Sequence, residues 1–316
     1  MACVVVVGSA NTDMVVKART IPSPGETVIG GEFLMAPGGK GANQAVAAAR
    51  LGAEVAFVAR LGKDIFAEAS LANYRQAGLN TDFIVLDEAA PSGVALIMVD
   101  ASGQNSIVVA PGANARLSPK DVLRAERIIA QADAVVAQLE VPSETVRTAF
   151  ELARRYGART ILNPAPAPGG PLSSDLLSLV DILTPNEHEV QALTGMALEA
   201  GQEEMACQLR SLGIEEVVVT LGRQGGIYAG PSGIERFPAC PVEAQDTTAA
   251  GDVFTGALAC ARAEGKAMHE AIRFASHAAA ISVTRMGAQP SIPTREEVED
   301  FLRKGRKRRK RNHAFR

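Results

Sequence analysis

The chain has 316 residues and no tryptophan, and aromatic residues make up only 4% of it. The interleave of basic and aromatic side chains that marks many nucleic-acid binders is therefore missing. Its four cysteines, Cys3, Cys207, Cys240 and Cys260, are scattered, with no Cys-x-x-Cys spacing. That argues against a disulfide framework or a thiolate metal site, and suits small buried thiols in a reducing cytoplasm. The four histidines, 188, 269, 277 and 313, form no His-x-x-x-His pair, which argues against a zinc enzyme. No apolar run reaches the ~18 residues of a membrane span. The start, Met-Ala-Cys-Val-Val-Val-Val, has no basic leader and reads as a buried first strand rather than a signal peptide. No internal repeat is visible.

What is present is apolar residues, 47% of the chain, ample for a core of one large α/β domain or two smaller ones. Strand-like and helix-like stretches alternate. Val4–Val7, Val55–Ala59, Phe83–Leu86, Ala134–Leu139, Thr160–Asn163, Ile182–Thr184 and Val217–Thr220 read as strands. Ala42–Leu51, Phe66–Gln76, Pro119–Ala130, Ser143–Tyr156, Asn186–Leu193 and Met205–Leu212 read as helices between them. This order predicts an α/β fold with a doubly wound, mainly parallel sheet flanked by helices. Ligands in such folds bind beyond the carboxyl ends of the strands, where Asn11, Asp13, Glu140, Asn163, Asn186 and Thr220 fall. Glu26–Met35 and the hairpin pattern over Gly93–Ala110 break the alternation and predict a small antiparallel sheet set apart.

Two glycine-containing turns carry the chemical signal. Asp246-Thr-Thr-Ala-Ala-Gly-Asp252 runs into an apolar helix, Val253 to Ala263. The start of a helix has unpaired N–H groups and the positive end of the macrodipole. Ala249, Ala250 and Gly251 are small enough for an anion to approach them, and Asp252 in the same turn can accept a proton. An anion cradle beside a base suits phosphoryl transfer to an alcohol, although an Asp-capped helix start fits the same residues. The second turn, Pro37-Gly-Gly-Lys-Gly-Ala-Asn-Gln-Ala45, lacks Ser or Thr after the lysine, so it is not a Walker A loop. It lacks the third glycine of a dinucleotide fingerprint as well. It reads either as a close-packed helix start or as a site where backbone N–H groups and Asn43 bond hydroxyls.

These turns resemble those of the ribokinase-like (pfkB) carbohydrate kinase family. The resemblance extends over Gly8–Asp13, Gly38–Ala45, Gln138–Glu140, Asn163–Ala167, Thr184–Glu189, Thr220–Gly222, Asp246–Asp252 and Gly287–Pro293, in the family's order and over about residues 4–302. It implies a discontinuous catalytic domain (1–13, 40–91 and 115–302) and a β lid over the sugar (14–39 and 92–114). In several family members two such lids pack together, so a homodimer is expected. The implied reaction is attack by a primary sugar hydroxyl on the γ-phosphate of ATP. Asp252 would be the general base, and Ala249, Ala250 and Gly251 the anion hole. Many family members have Gly where Ala249 stands. Asn11, Asp13, Gly39, Lys40, Gly41, Asn43, Glu140 and Asp252 would hold the sugar. Asn186, Thr220, Gly222, Arg223, Gly225, Gly251, Asp252 and Ser276 would hold ATP, and Ser276 stands where the family usually has Asn or His. Glu189 would orient Mg²⁺ through water. Asp246, Thr248, Ser282, Arg285, Gly287 and Ser291 match the family's potassium-binding stretches. The sugar set points to D-ribose, with 2-deoxyribose and other family substrates as alternatives. A catalytically silent sugar- or nucleotide-binding regulator is the alternative of a different class.

Residues 303–316 depart from the family. They carry nine Lys or Arg and no acid, which leaves the rest at −12 (the total of −3 less +9). Such a run is expected to be disordered and self-repelling, with no part in catalysis. Nucleic-acid binding would rest on this tail alone, against an acidic body.

Overall fold

The computed structural model describes residues 2–196 and 201–313, with side chains as far as Lys304. The chain opens with β1 (Cys3–Val7), β2 (Asn11–Lys17) and β3 (Phe33–Gly38), which lead into α1 (Lys40–Arg50). Next come β4 (Glu54–Gly62), α2 (Ile65–Gln76), β5 (Ile84–Asp87) and the hairpin β6 (Gly93–Val99) and β7 (Asn105–Ala110). The middle holds α3 (Pro119–Arg124), α4 (Glu126–Ile129), β8 (Ala134–Ala137), α5 (Ser143–Tyr156), β9 (Arg159–Leu162), α6 (Ser174–Leu177) and β10 (Ile182–Leu183). It continues through α7 (Glu187–Thr194), α8 (Gln202–Ser211), β11 (Glu216–Thr220), β12 (Gly226–Gly230) and β13 (Gly233–Phe237). The last elements are α9 (Ala250–Ala263), α10 (Met268–Ser282) and α11 (Arg295–His313).

Nine strands form one sheet in the order β13-β12-β11-β10-β9-β8-β1-β4-β5. All pairings from β11 to β5 are parallel, and β12 and β13 close one edge antiparallel. β1 sits between β8 and β4, and Val4 to Val7 are all fully buried. Alternate side chains point to opposite faces of a strand. Accordingly Val4 and Val6 join the core beneath α1, α9 and α10, while Val5 and Val7 join the core beneath α5. Burial on both faces is why the strand reads as an unbroken apolar run rather than an alternating one.

The small sheet has the order β3-β2-β6-β7. Its outer pairs are antiparallel, as expected, but the central pair β2–β6 is parallel. Both strands leave the body side by side, with Asn11 opposite Gly93, and so run outward together. The sheet begins at Asn11, not at residue 14. Asn11 and Asp13 are therefore lid-strand residues, separated from β1 by the Gly8-Ser9-Ala10 turn. The strand expected over Glu26–Met35 lies at Phe33–Gly38, after the Gly30-Gly31 pair. The single helix expected over Pro119–Ala130 is two, α3 and α4, meeting at Ala125.

The basic stretch expected to be disordered continues α11 as far as His313. Lys and Arg are good helix formers; residues 314–316 lie outside the described residues.

Candidate active site

Antiparallel pairing of β2 with β3 builds the first corner of the site. Asn11 lies opposite Gly38, so the turn after β3 and the start of α1 meet the beginning of β2. Gly39 makes that turn with φ 88°, and a Cβ there would lie 2.6 Å from the Asn11 nitrogen. Only glycine meets both demands. The Ser9 hydroxyl donates to Glu140 Oε2 at 2.5 Å and accepts from the Gly41 N–H at 3.2 Å. Glu140 Oε2 also accepts from the Lys40 N–H at 3.0 Å. Glu140 therefore caps α1, a helix distant in sequence, rather than the helix that starts at Ser143. Its negative charge suits the positive end of α1.

Asn114, 1% exposed, braces the same corner. It accepts from the Ala10 N–H at 2.9 Å and donates to the Ala10 carbonyl and, at 2.7 Å, to Asn11 Oδ1. Sequence reasoning missed this residue, whose only signal is an Asn just after the lid hairpin. The Asp13 carboxyl is pushed up to about 7, first by burial, then by Glu140 and Asp252, with Lys40 opposing. Lys40 answers this concentration of carboxylates. Asp252 above all raises its pKa, burial opposes, and Glu140, Glu189 and Asp13 add to the rise. One ammonium thus serves Asp13, Glu140, Asp252 and Glu189 together.

Asp252 stands in the first turn of α9 and is buried. Oδ2 accepts from Asn43 Nδ2 at 2.9 Å, and Oδ1 accepts from Gln44 Nε2 at 3.0 Å. These contacts require α1 and α9 to lie close. At Gly256 a Cβ would meet the Gln44 carbonyl at 2.5 Å, and the alanines of α1 (42, 45, 47 and 48) are buried. Ala249 is the N-cap of α9, with φ 59° and ψ 11°, the only non-glycine with positive φ among the described residues. Holding alanine there costs about 1–2 kcal/mol. The Ala250 N–H donates to Thr247 O at 3.2 Å, while among the described residues no acceptor takes the N–H groups of Gly251 and Asp252. The helix start therefore keeps donors for an anion beside the carboxylate.

The nucleotide-side residues sit where β10 and β11 end. Asn186 caps α7 by accepting from the Glu189 N–H at 2.9 Å. Glu189 returns the contact, accepting from the Asn186 N–H and from Asn186 Nδ2, each at 2.9 Å. This is a reciprocal capping box. Burial raises the Glu189 pKa, opposed by the Asn186 N–H and the Lys40 charge. Asn186 bridges to Thr220, whose N–H donates to Pro185 O at 2.9 Å. Gly222 (φ 54°) and Gly225 (φ 87°) shape the loop after β11, where Arg223 is exposed.

The two stretches expected to hold potassium meet. Asp246 accepts on Oδ1 from the Thr248 N–H and hydroxyl at 2.9 and 2.6 Å, and on Oδ2 from the Gly287 N–H at 2.8 Å. The Ser282 and Ser291 hydroxyls donate to the carbonyls of Ala279 and Ala288. Arg285 pairs with Glu297, so of these residues its side chain serves α11 rather than a cation. A monovalent cation here would be held chiefly by backbone carbonyls and the Asp246 carboxylate, donors suited to a hard ion. Ser276 is set apart from the rest. It borders a groove of about 780 Å³ lined by Phe237, Pro238, Cys240, Pro241 and Ile272 and by none of the other expected site residues. Its hydroxyl donates to Ile272 O at 2.8 Å.

The chain is similar to known proteins over nearly its whole length. The model of the pfkB family of carbohydrate kinases matches residues 1–295. A ribokinase of Haemophilus influenzae is 46% identical over 302 residues, 94% of this chain and 97% of the relative. A deoxyribokinase of Salmonella typhi is 37% identical over 302 residues, 95% of this chain and 98% of the relative. The solved structure of Arabidopsis thaliana ribokinase complexed with ribose and ATP has a TM-score of 0.87 at 35% identity, covering 96% of this chain and 99% of that one. On this evidence the chain belongs to the pfkB family of carbohydrate kinases.

Proposed function

We propose that the chain transfers the γ-phosphoryl group of ATP to the primary hydroxyl of D-ribose, giving D-ribose 5-phosphate and ADP. The observation that carries this reading is Asp252, held by amides on both carboxylate oxygens beside unpaired N–H groups at the start of α9. Asn11, Asp13, Gly39, Lys40, Gly41, Asn43 and Glu140 hold the sugar. The two Asp13 oxygens accept from neighbouring hydroxyls, which suits a vicinal diol. Asp252 takes the proton of the attacking hydroxyl as its oxygen bonds to the γ-phosphorus and the bond to the ADP oxygen breaks. The N–H groups at Ala249, Ala250 and Gly251 stabilise the charge on the transferring group, Gly251 most directly because its N–H is unpaired.

Asn186, Thr220, Gly222, Arg223 and Gly225 line the path of the phosphates; Ser276, in its separate groove, is left out of this reading. Glu189 would orient, through water, the Mg²⁺ that comes with ATP, and that ion would supply charge to neutralise the phosphates. A potassium ion would be held by Asp246 and backbone carbonyls of the 246–248 and 282–291 stretches, and would supply positive charge behind the anion hole. The exposed apolar residues Phe33, Leu96 and Val108, which share one face of the small sheet, form the surface of a lid-to-lid homodimer. A cytoplasmic location belongs to the same reading, since none of the four cysteines is in a disulfide.

The similarity to a deoxyribokinase keeps 2-deoxyribose as the second reading. The test is ATP-dependent phosphorylation of D-ribose, 2-deoxyribose, fructose, adenosine and fructose 6-phosphate with Mg²⁺, in potassium and then in sodium. D-ribose turns over preferentially, and faster in potassium. Preference for 2-deoxyribose would keep the mechanism and overturn the substrate. No turnover by folded protein would favour a silent regulator, and equal rates in the two salts would remove the potassium site.

A further inference from the structure

Each oxygen of the Asp252 carboxylate is reached by a side-chain amide that is itself held by another amide. In the longer chain Asn73, on α2, donates from Nδ2 to Gln289 Oε1 at 2.7 Å. Gln289 then donates from Nε2 to Asn43 Oδ1 at 3.2 Å, and Asn43 from Nδ2 to Asp252 Oδ2 at 2.9 Å. In the shorter chain Gln138 donates from Nε2 to Gln44 Oε1 at 2.6 Å. Gln44 donates from Nε2 to Asp252 Oδ1 and to Asn163 Oδ1, both at 3.0 Å. Asn43, Gln44, Gln138 and Gln289 are each 5% exposed or less, so water does not compete for these bonds.

A primary amide presents a donor on one side and an acceptor on the other, and a half-turn exchanges them. Next to a carboxylate only the donor-forward orientation is favourable. Which way a buried amide faces is set by what its far side meets. Gln138 offers Gln44 an N–H, so Gln44 keeps its oxygen toward Gln138 and its hydrogens toward Asp252. Gln289 does the same for Asn43, and Asn73 fixes Gln289.

We infer that Gln138 and Gln289 are positioning residues for Asp252, each fixing, through one intervening amide, the N–H group that holds one carboxylate oxygen. The inference rests on the reading of Asp252 as the base. Neither glutamine is among the residues assigned to the sugar or to ATP. The two branches differ in one respect, because the Gln289 branch passes through Asn43, a sugar residue, and the Gln138 branch does not.

Steady-state kinetics on Met and Glu replacements test this, with folding checked by thermal melting. Gln138→Met lowers kcat about tenfold and leaves KM for sugar and ATP within about twofold, as expected for one lost bond to a charged group. Gln289→Met lowers kcat similarly and raises the sugar KM. Gln138→Glu and Gln289→Glu, assayed at about pH 9 so that the buried carboxyl is ionised, keep the shape but lack the donor, and draw the hydrogens of Gln44 or Asn43 away from Asp252. Their kcat therefore falls below that of the Met variants. A packing role alone gives the reverse order. Folded Met variants with wild-type kcat, or Glu variants better than Met, would overturn the inference. Should the buried variants not fold, the half-buried Asn73→Ala decides. A loss of about two- to threefold in kcat at unchanged melting temperature supports the relay, and wild-type kcat overturns it. Asp252→Asn separates the two readings. If it is inactive while the glutamine variants turn over normally, only the relay fails. If it retains wild-type turnover, the base assignment fails first.

Discussion

At neutral pH the Asp13 carboxyl is near the middle of its titration, because burial and the neighbouring charges of Glu140 and Asp252 hold it at about 7. Only the ionised form accepts from two sugar hydroxyls, so the sugar KM should rise as pH falls below about 7, by up to tenfold per unit. A sugar KM that stays flat from pH 5.5 to 8.5 would contradict this. The sign for stability is opposite. A folded pKa near 7 lies above the unfolded value, so the Asp13 contribution is fully present below about pH 4 and is lost as pH rises through about 7. Asp13→Asn should therefore stabilise the sugar-free protein above pH 7 by about 1–2 kcal/mol while raising the sugar KM. Denaturant melts at pH 5 and pH 8 check the first half, and initial rates the second. Asn11, Asp13, Glu140 and Asp252 were legible in the sequence because each is a polar residue at a strand end or helix start. Gln44, Gln138 and Gln289 stood inside the recognised motifs, but nothing gave them a role. An uncharged amide carries no signature of its own, and its importance here comes from partners up to 246 positions away.

Among the elements, the contact between α1 and α9 decides whether Asn43 and Gln44 reach Asp252. At Gly256 a Cβ would meet the Gln44 carbonyl at 2.5 Å and the Ala47 Cβ at 2.7 Å, so α9 packs tightly on α1 there. Gly256→Ala should force the helices apart, destabilise by about 1–3 kcal/mol and lower kcat more than it raises either KM. A thermal melt and a kinetic comparison test it, and an unchanged melting temperature with unchanged kcat would contradict the close approach. The element pattern was legible where glycine or proline punctuated it. Ser143–Tyr156 was read with the observed bounds, since Pro142 precedes the helix and Gly157 closes it in the left-handed conformation. The break between α3 and α4 carries no glycine or proline and was read through. β13 is exposed along most of its length, so it lacks the apolar run that marks the inner strands. The parallel centre of the lid was hidden because β2 and β6 are distant in sequence and adjacent only once β1 and β4 are in place.

For the whole molecule, the lid offers apolar side chains to solvent that a second copy would cover. Val108, 63% exposed in the monomer, stands on the edge strand β7. The chain should sediment as a dimer, twice 33.0 kDa, and Val108→Glu should shift it toward monomer. A wild-type monomer at micromolar concentration would contradict the lid interface. Removal of residues 304–316 should leave kcat and both KM values within about twofold, because none of the site residues lies beyond Ser291. Loss of turnover on that truncation would give the basic end of α11 a catalytic part. The most direct test of the central claim is turnover of D-ribose with ATP by Asp252→Asn beside the wild-type chain, with folding verified by melting. The wild-type enzyme should form D-ribose 5-phosphate, and the variant should fold normally and turn over about 10²–10⁴ times more slowly. A folded variant with undiminished rate would contradict the assignment of Asp252 as the base.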